Sequence, residues 1–231
     1  GSGSMADHFP EIVLGTMTFG AQVDEPAAAG MLAAFTAAGH HWIDTAHIYT
    51  EGASETILGR LLPDYPPGTF QVASKAHPGK EGGGLAPERL TAQLEGSLTR
   101  LRREALDLFY LHRPDPRTPL EKTLEACHDH HRRGRFRALG LSNFPPAEVL
   151  QVRDLCLARG WIVPTVYQGM YNAITRAVEP ELLPLLNRLG IAFQAFNPLA
   201  GGLLTGKYAA SDRLPEEGRF VVLDFYQGRY W

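Results

Sequence analysis

Short apolar stretches alternate along the chain with longer segments in which apolar residues recur at helical spacing. The stretches EIVLGTMTFG, HWIDTA, FQVASKA, LDLFYLHRP, FRALGLSNF, PTVYQGMYN and IAFQAFNPLA are rich in apolar, β-branched and aromatic residues and end in polar or glycine-bearing turns, which predicts strands. The segments between them predict helices. Asp24 is placed to cap an alanine-rich helix with Pro26 in its first turn and Gly39 past its end, the usual asymmetry of proline and glycine. Leu90, Leu94, Leu98 and Leu101 make one apolar face of a long helix. TPLE predicts a capping box, with Thr118 as cap, Pro119 at the first helical position and Glu121 reaching back; Leu120, Leu124 and Cys127 form the buried face that follows. PPAEVLQVRDLCLARG and EPELLPLLNRLG repeat the helical pattern.

A parallel pair of strands needs a crossover, and a helix is what fills it, so this alternation predicts a parallel α/β fold. A (β/α)8 TIM-type barrel of ~250 residues is the nearest architecture. A doubly wound sheet is the rival, but its first turn normally carries G-x-G-x-x-G, and GTMTFGAQ lacks that spacing. The barrel expected here lacks its eighth strand and C-terminal segment, FVVLDF being the leftover strand candidate. Gly1–Ser4 reads as a vector-derived scar before Met5, and residues 5–231 as one barrel domain, C-terminally incomplete.

Composition narrows the function classes. Hydrophobic residues make up 44% of 231 and charged ones 20%, enough apolar side chains for one sizeable core. A net charge of -3 with scattered basic residues gives no footprint for nucleic acid or an anionic membrane surface. No apolar run approaches the ~20 residues of a membrane span, and there is no secretory leader pattern. Two cysteines make no disulfide framework, so a cytoplasmic setting is expected.

In a barrel, polar residues at the carboxyl ends of strands share one mouth, above layers of apolar side chains. Asp44 and Tyr49 follow the second strand, Lys75 the third and His112 the fourth. Singly, Asp44 can cap a turn, Lys75 can be a solvated loop residue and His112 a hydrogen-bonded core histidine. Together they can transfer a proton. A phenol titrates ordinarily at about 10, and a nearby ammonium favours its ionised form, so a lysine held by a carboxylate brings tyrosine toward useful acidity. Such a group suits protonation of a developing alkoxide. By contrast, the histidines of HDHHRRGR fit a helix end that favours cations, no second ligand cluster accompanies them, and no metal is expected. His40 and His41 belong to the surface link before the second strand. Cys127 and Cys156 lie on apolar helix faces and read as core.

The stretches IDTAHIYTEGASETILG, LDLFYLHRPD, LGLSNF, YQGMYNAITR and FNPLAGGLLTGKY resemble the aldo-keto reductases, most closely the aflatoxin-aldehyde and succinic-semialdehyde reductase subgroup, from Val13 to Trp231. The resemblance implies an (α/β)8 barrel, NADPH as cofactor and reversible reduction of aldehydes or ketones. It implies Tyr49 as proton donor, Lys75 and Asp44 as the groups that tune it, and His112 as the group that orients the carbonyl. By the same resemblance Ser142, Asn143 and Gln168 hydrogen-bond the nicotinamide carboxamide and Phe196 lies against its ring. Asn197, Pro198, Leu199, Gly201, Gly202, Leu203 and Lys207 belong to the loop that wraps the pyrophosphate, and Met17 and Arg219 are further cofactor contacts. Glycines there permit close backbone approach to an anion. The implied partner is a small carbonyl substrate, with self-association into a homo-oligomer left open. A potassium-channel accessory subunit shares this fold and these four residues, so a non-catalytic cofactor-sensing subunit is the alternative. Family members continue past Trp231 with a further strand and the segment that grips the adenosine 2′-phosphate, which bears on the choice of NADP over NAD.

Overall fold

The computed structural model describes residues 11–207 of the chain, so Arg219 and FVVLDF lie outside the described residues. All seven expected strands form. The chain falls into two compact units that divide between Pro164 and Thr165.

In the first unit the order is β1 (Val13–Gly15), α1 (Glu25–Ala37), β2 (Trp42–Asp44), a 3-10 turn (Tyr49–Gly52), α2 (Ala53–Leu61), β3 (Gln71–Ala76), α3 (Pro87–Leu101), β4 (Leu106–Leu111), α4 (Leu120–Arg132), β5 (Phe136–Ser142) and α5 (Pro146–Arg159). Strands β1 to β5 pair in sequence order, each parallel to the next. This sequential order lacks the reversal at which a doubly wound sheet switches direction, and the β/α alternation is that of a (β/α)8-type fold. In the second unit β6 (Val166–Met170) pairs parallel with β7 (Ala192–Phe196), with α6 (Leu182–Leu189) between them and a 3-10 segment (Ala200–Thr205) after β7.

Helix ends follow local chemistry in most places. Asp24 caps α1 as expected, its carboxylate accepting from the amide of Ala27 at 2.9 Å. Leu90, Leu94, Leu98 and Leu101 are all buried on α3, each contributing about 1.5–3 kcal/mol by removal from water. The capping box at TPLE does not form. Helix α4 starts at Leu120 without a side-chain cap, and the Thr118 hydroxyl donates instead to Asp115 at 2.8 Å. Asp115 also accepts the amides of Gly83, Leu85 and Arg117. A carboxylate already fixed by three backbone donors is a strong acceptor for the hydroxyl proton, and the bond to it turns the Thr118 oxygen away from the helix amides it would have to cap. Leu124 and Cys127 are buried as expected, while Leu120 is only half-buried.

Candidate active site

Strand periodicity sorts the side chains at the ends of β2 and β3. Alternate residues point to opposite faces. Ser74 and Thr45 turn to α2, where their hydroxyls meet Glu55 and Ser54. Asp44 and Lys75 turn to the other face and meet each other. The register that sets Asp44 beside Ala73 and Lys75 beside Tyr110 brings these positions level.

Lys75 is fully buried, and each of its three N–H donors is taken. Nζ donates to Asp44 Oδ2 at 2.5 Å, to the Thr45 carbonyl at 2.8 Å and to the Tyr49 hydroxyl oxygen at 3.1 Å. The nitrogen also lies 4.7 Å from the centre of the Tyr49 ring and 5.8 Å from that of Tyr110. Burial works against the ammonium charge, but Asp44 and Tyr49 more than offset it, so the lysine pKa is raised above its ordinary value. Tyr110 reaches this position because Gly140 opposes it on β5. A Cβ at residue 140 would sit 2.4 Å from the Tyr110 ring.

Tyr49 arrives on a turn in an unusual conformation. Thr50, Glu51 and Gly52 have φ of 48, 55 and 89°, three successive residues in the left-handed region. Hydrogen bonds compensate. The Thr50 hydroxyl donates to the Phe19 carbonyl at 2.6 Å and accepts from the Ser54 amide. Below it, Thr16 donates to the Asp44 carbonyl and Ser54 to the Thr16 carbonyl, which leaves Thr45 as donor to Ser54. The buried hydroxyls of Thr16 and Thr45, just past β1 and β2, and of Ser54 on α2 thereby brace the backbone at Asp44.

His112 follows β4, its amide extending the ladder to Ala76 at 2.9 Å. Its ring stands edge-on to Tyr49, centroids 5.9 Å apart, and edge-on to His77 at 5.3 Å. Nδ1 is buried with no hydrogen-bond partner among the described residues. Burial, reinforced by the Lys75 cation, pushes the imidazole down to about 2, so it is neutral at any physiological pH. Asn143 braces this residue. It adopts φ of 60° after β5, and its amide donates to the His112 carbonyl and to the buried Ser142 hydroxyl, both at 3.0 Å.

The structure therefore brings Asp44, Tyr49, Lys75, His112, Ser142 and Asn143 to the carboxyl ends of β2 to β5. Met17 lies half-buried in the loop after β1. In the second unit Gln168 is buried within β6 and Phe196 ends β7 half-buried. Asn197, with φ of 58°, accepts the Gly201 amide on its side chain at 2.7 Å and the Ala200 amide on its carbonyl at 3.1 Å. Ala200, Gly201 and Gly202 continue in the left-handed region with φ of 49, 72 and 108°. Pro198, Leu199 and Lys207 are exposed and Leu203 is half-buried. Cys127 and Cys156 are free and buried, burial pushing the Cys156 thiol up to about 11 and that of Cys127 higher, so neither is a ready nucleophile. Among the described residues no group of three or more His, Cys, Asp or Glu side chains is placed to hold a metal, and no helix is long and apolar enough to cross a membrane.

Sequence reasoning passed over Thr16, Thr45, Ser54, Glu55, His77, Arg100 and Tyr110. The period-2 rule applied outward from Asp44 and Lys75 points to Thr45 and Ser74 as the helix-facing neighbours. Arg100 carries no such local signal, since its partners Glu55 and His47 lie 45 and 53 residues away in sequence.

A profile of the aldo/keto reductase family matches residues 11–222. Aflatoxin B1 aldehyde reductase member 2 of Mus musculus is 50% identical, over 96% of this chain and 62% of its own length. Aldo-keto reductase family 7 member A3 of Homo sapiens is 51% identical over 96% of this chain and 69% of its own. Aflatoxin B1 aldehyde reductase member 4 of Homo sapiens is 47% identical over the same shares. The chain thus spans between three fifths and seven tenths of the length of these relatives.

Proposed function

The chain belongs to the aldo/keto reductase family, and from that premise we propose that it is an NADPH-dependent oxidoreductase that reduces aldehydes or ketones to alcohols, with Tyr49 as proton donor. The observation that carries this reading is the hydrogen bond from buried Lys75 to the Tyr49 oxygen, with Asp44 behind the lysine. The names of the mouse and human relatives favour an aldehyde as substrate. Free, buried Cys127 and Cys156 suit a reducing compartment, and we place the protein in the cytoplasm.

The residues present fit a dinucleotide. In the left-handed run from Ala200 to Gly202 two of the three residues lack a Cβ and the third carries only a methyl group, so the backbone leaves room for close approach of an anion. This loop, from Asn197 to Lys207, would hold the pyrophosphate. Ser142, Asn143 and Gln168 would hold the nicotinamide carboxamide, with Phe196 against the ring and Met17 as a further contact. Arg219, a further contact by resemblance, lies outside the described residues. The choice of NADPH over NADH rests on the family resemblance. Bound NADPH supplies the hydride.

The chain's own residues manage the oxygen and the proton. Neutral His112 offers a ring N–H to the carbonyl oxygen without competing for the proton. As that oxygen gains negative charge, the Tyr49 hydroxyl gives it a proton and becomes a phenolate. The Lys75 ammonium stabilises the phenolate through the 3.1 Å contact, and Asp44 keeps the lysine charged and aimed. A new C–H bond and a new O–H bond make the alcohol, and solvent later returns the proton to Tyr49.

The test is loss of NADPH absorbance with a panel of small aldehydes, diketones and semialdehydes. Turnover that Tyr49→Phe lowers by about 10²–10⁴ supports the reading. Cofactor binding without turnover of any carbonyl would instead favour a cofactor-sensing subunit.

A further inference from the structure

The turn that presents Tyr49 is conformationally costly, because Thr50 and Glu51 carry side chains in the left-handed region. Something must hold it. Arg100, near the carboxyl end of α3, touches both flanks. On one side its NH2 group donates to His47 Nδ1 at 2.7 Å, two residues before the tyrosine. On the other its stem lies against Gly52, where a Cβ would stand 3.0 Å from Arg100 Cδ and Nε.

The guanidinium is itself anchored. Nε and NH2 both reach Glu55 Oε2, at 2.7 and 2.6 Å. Glu55 is fully buried, and its other oxygen accepts from Ser74 at 2.5 Å, the residue beside Lys75. Helices α2 and α3 meet closely enough for this because residue 59 is glycine: a Cβ there would lie 1.9 Å from the Arg100 carbonyl oxygen. The donated bond also settles the His47 tautomer, since Nδ1 must accept and the proton must lie on Nε2.

We propose that Arg100 is a positioning residue for Tyr49, clamping both flanks of the Tyr49–Gly52 turn through His47 and Gly52 while anchored on Glu55. The planar fork suits this task and an ammonium does not, because two directions must be served at once from one rigid group. The kinetic consequence rests on Tyr49 being the proton donor; the placement of the ring does not.

The experiment uses the full chain with 3-fluorotyrosine at position 49. The parent should give one narrow fluorine resonance. Arg100→Met should shift and broaden it, with Arg100→Lys in between. In parallel, Arg100→Met should lower kcat about ten- to a hundred-fold, as expected for a misplaced reacting group, with KM changed less than about twofold. In a Tyr49→Phe background the same substitution should cost nothing further. An unchanged resonance, or an equal proportional loss in both backgrounds, overturns the proposal. If Tyr49→Phe itself keeps the parent's kcat/KM, the proposed function fails, and the fluorine signal still judges the clamp. Should Arg100→Met not fold, His47→Leu keeps the Arg100–Glu55 pair and removes one arm. It should move both readouts in the same direction by less, and no movement in either overturns the clamp.

Discussion

Lys75 Nζ lies 3.1 Å from the Tyr49 hydroxyl oxygen, and both its remaining donors are committed to Asp44 and to the Thr45 carbonyl. The lysine therefore cannot rotate away from the phenol without breaking its bonds to a buried carboxylate and to a backbone carbonyl.

Replacing Tyr49 by Phe removes the hydroxyl and leaves the ring, so cofactor affinity should change little. Carbonyl reduction should fall by about 10²–10⁴, the usual worth of a general acid. Steady-state kcat/KM and a cofactor fluorescence titration check this, and equal kcat/KM in mutant and parent would remove Tyr49 from the mechanism.

Lys75→Met should act on both rate and stability. With the cation gone, the phenolate loses its stabilising partner, and the pH at which activity responds to the tyrosine should move upward. Asp44 is left buried without its counter-ion, a change worth about 3–5 kcal/mol when one partner of a buried pair is deleted. A pH profile that stays in place would show that the lysine does not tune the tyrosine; urea unfolding reads the stability.

Stability should fall with pH before any carboxylate titrates. His112 takes up a proton at about 2 in the folded chain against the ordinary 6.5, so below 6.5 the unfolded chain binds a proton that the folded one refuses. The contribution is present in full above pH 6.5 and is lost progressively as pH falls toward 2, at up to about 1.4 kcal/mol per pH unit. His47, His77 and His130 are lowered too, each mainly by burial, and act with the same sign. Urea midpoints should drop between pH 7 and pH 5, and His112→Leu should lessen the drop. A flat profile over that range would mean that His112 is not buried in neutral form.

Gly140→Ala should displace the Tyr110 ring, since the added methyl would lie 2.4 Å from it. Tyr110 is fully buried, so the overpacking has no open direction for relief and should cost about 1–3 kcal/mol. A thermal midpoint equal to the parent's would show that the ring can yield.

Periodicity and turn chemistry along the chain were enough for the seven strands, the Asp24 cap, the buried leucine face of α3 and the placing of Asp44, Lys75 and His112 at strand ends. Each depends on residues close in sequence, and a strand's alternation or a helix's repeat is written locally. The TPLE box shows where this stops. Its residues are right for a cap, yet Thr118 turns to Asp115 because the amides of Gly83 and Leu85, thirty residues upstream, have already fixed that carboxylate. The same holds for the Arg100 clamp, the Thr16, Thr45 and Ser54 hydroxyls and the Gly140 gap that admits Tyr110. Their partners come from different strands and helices, and a hydrogen bond or a close approach exists only at its final separation. Local pattern could name the chemical groups at the strand ends; the distances that bring Asp44, Lys75 and Tyr49 into hydrogen-bond contact come from the register of β2, β3 and β4 and the close packing of α2 on α3.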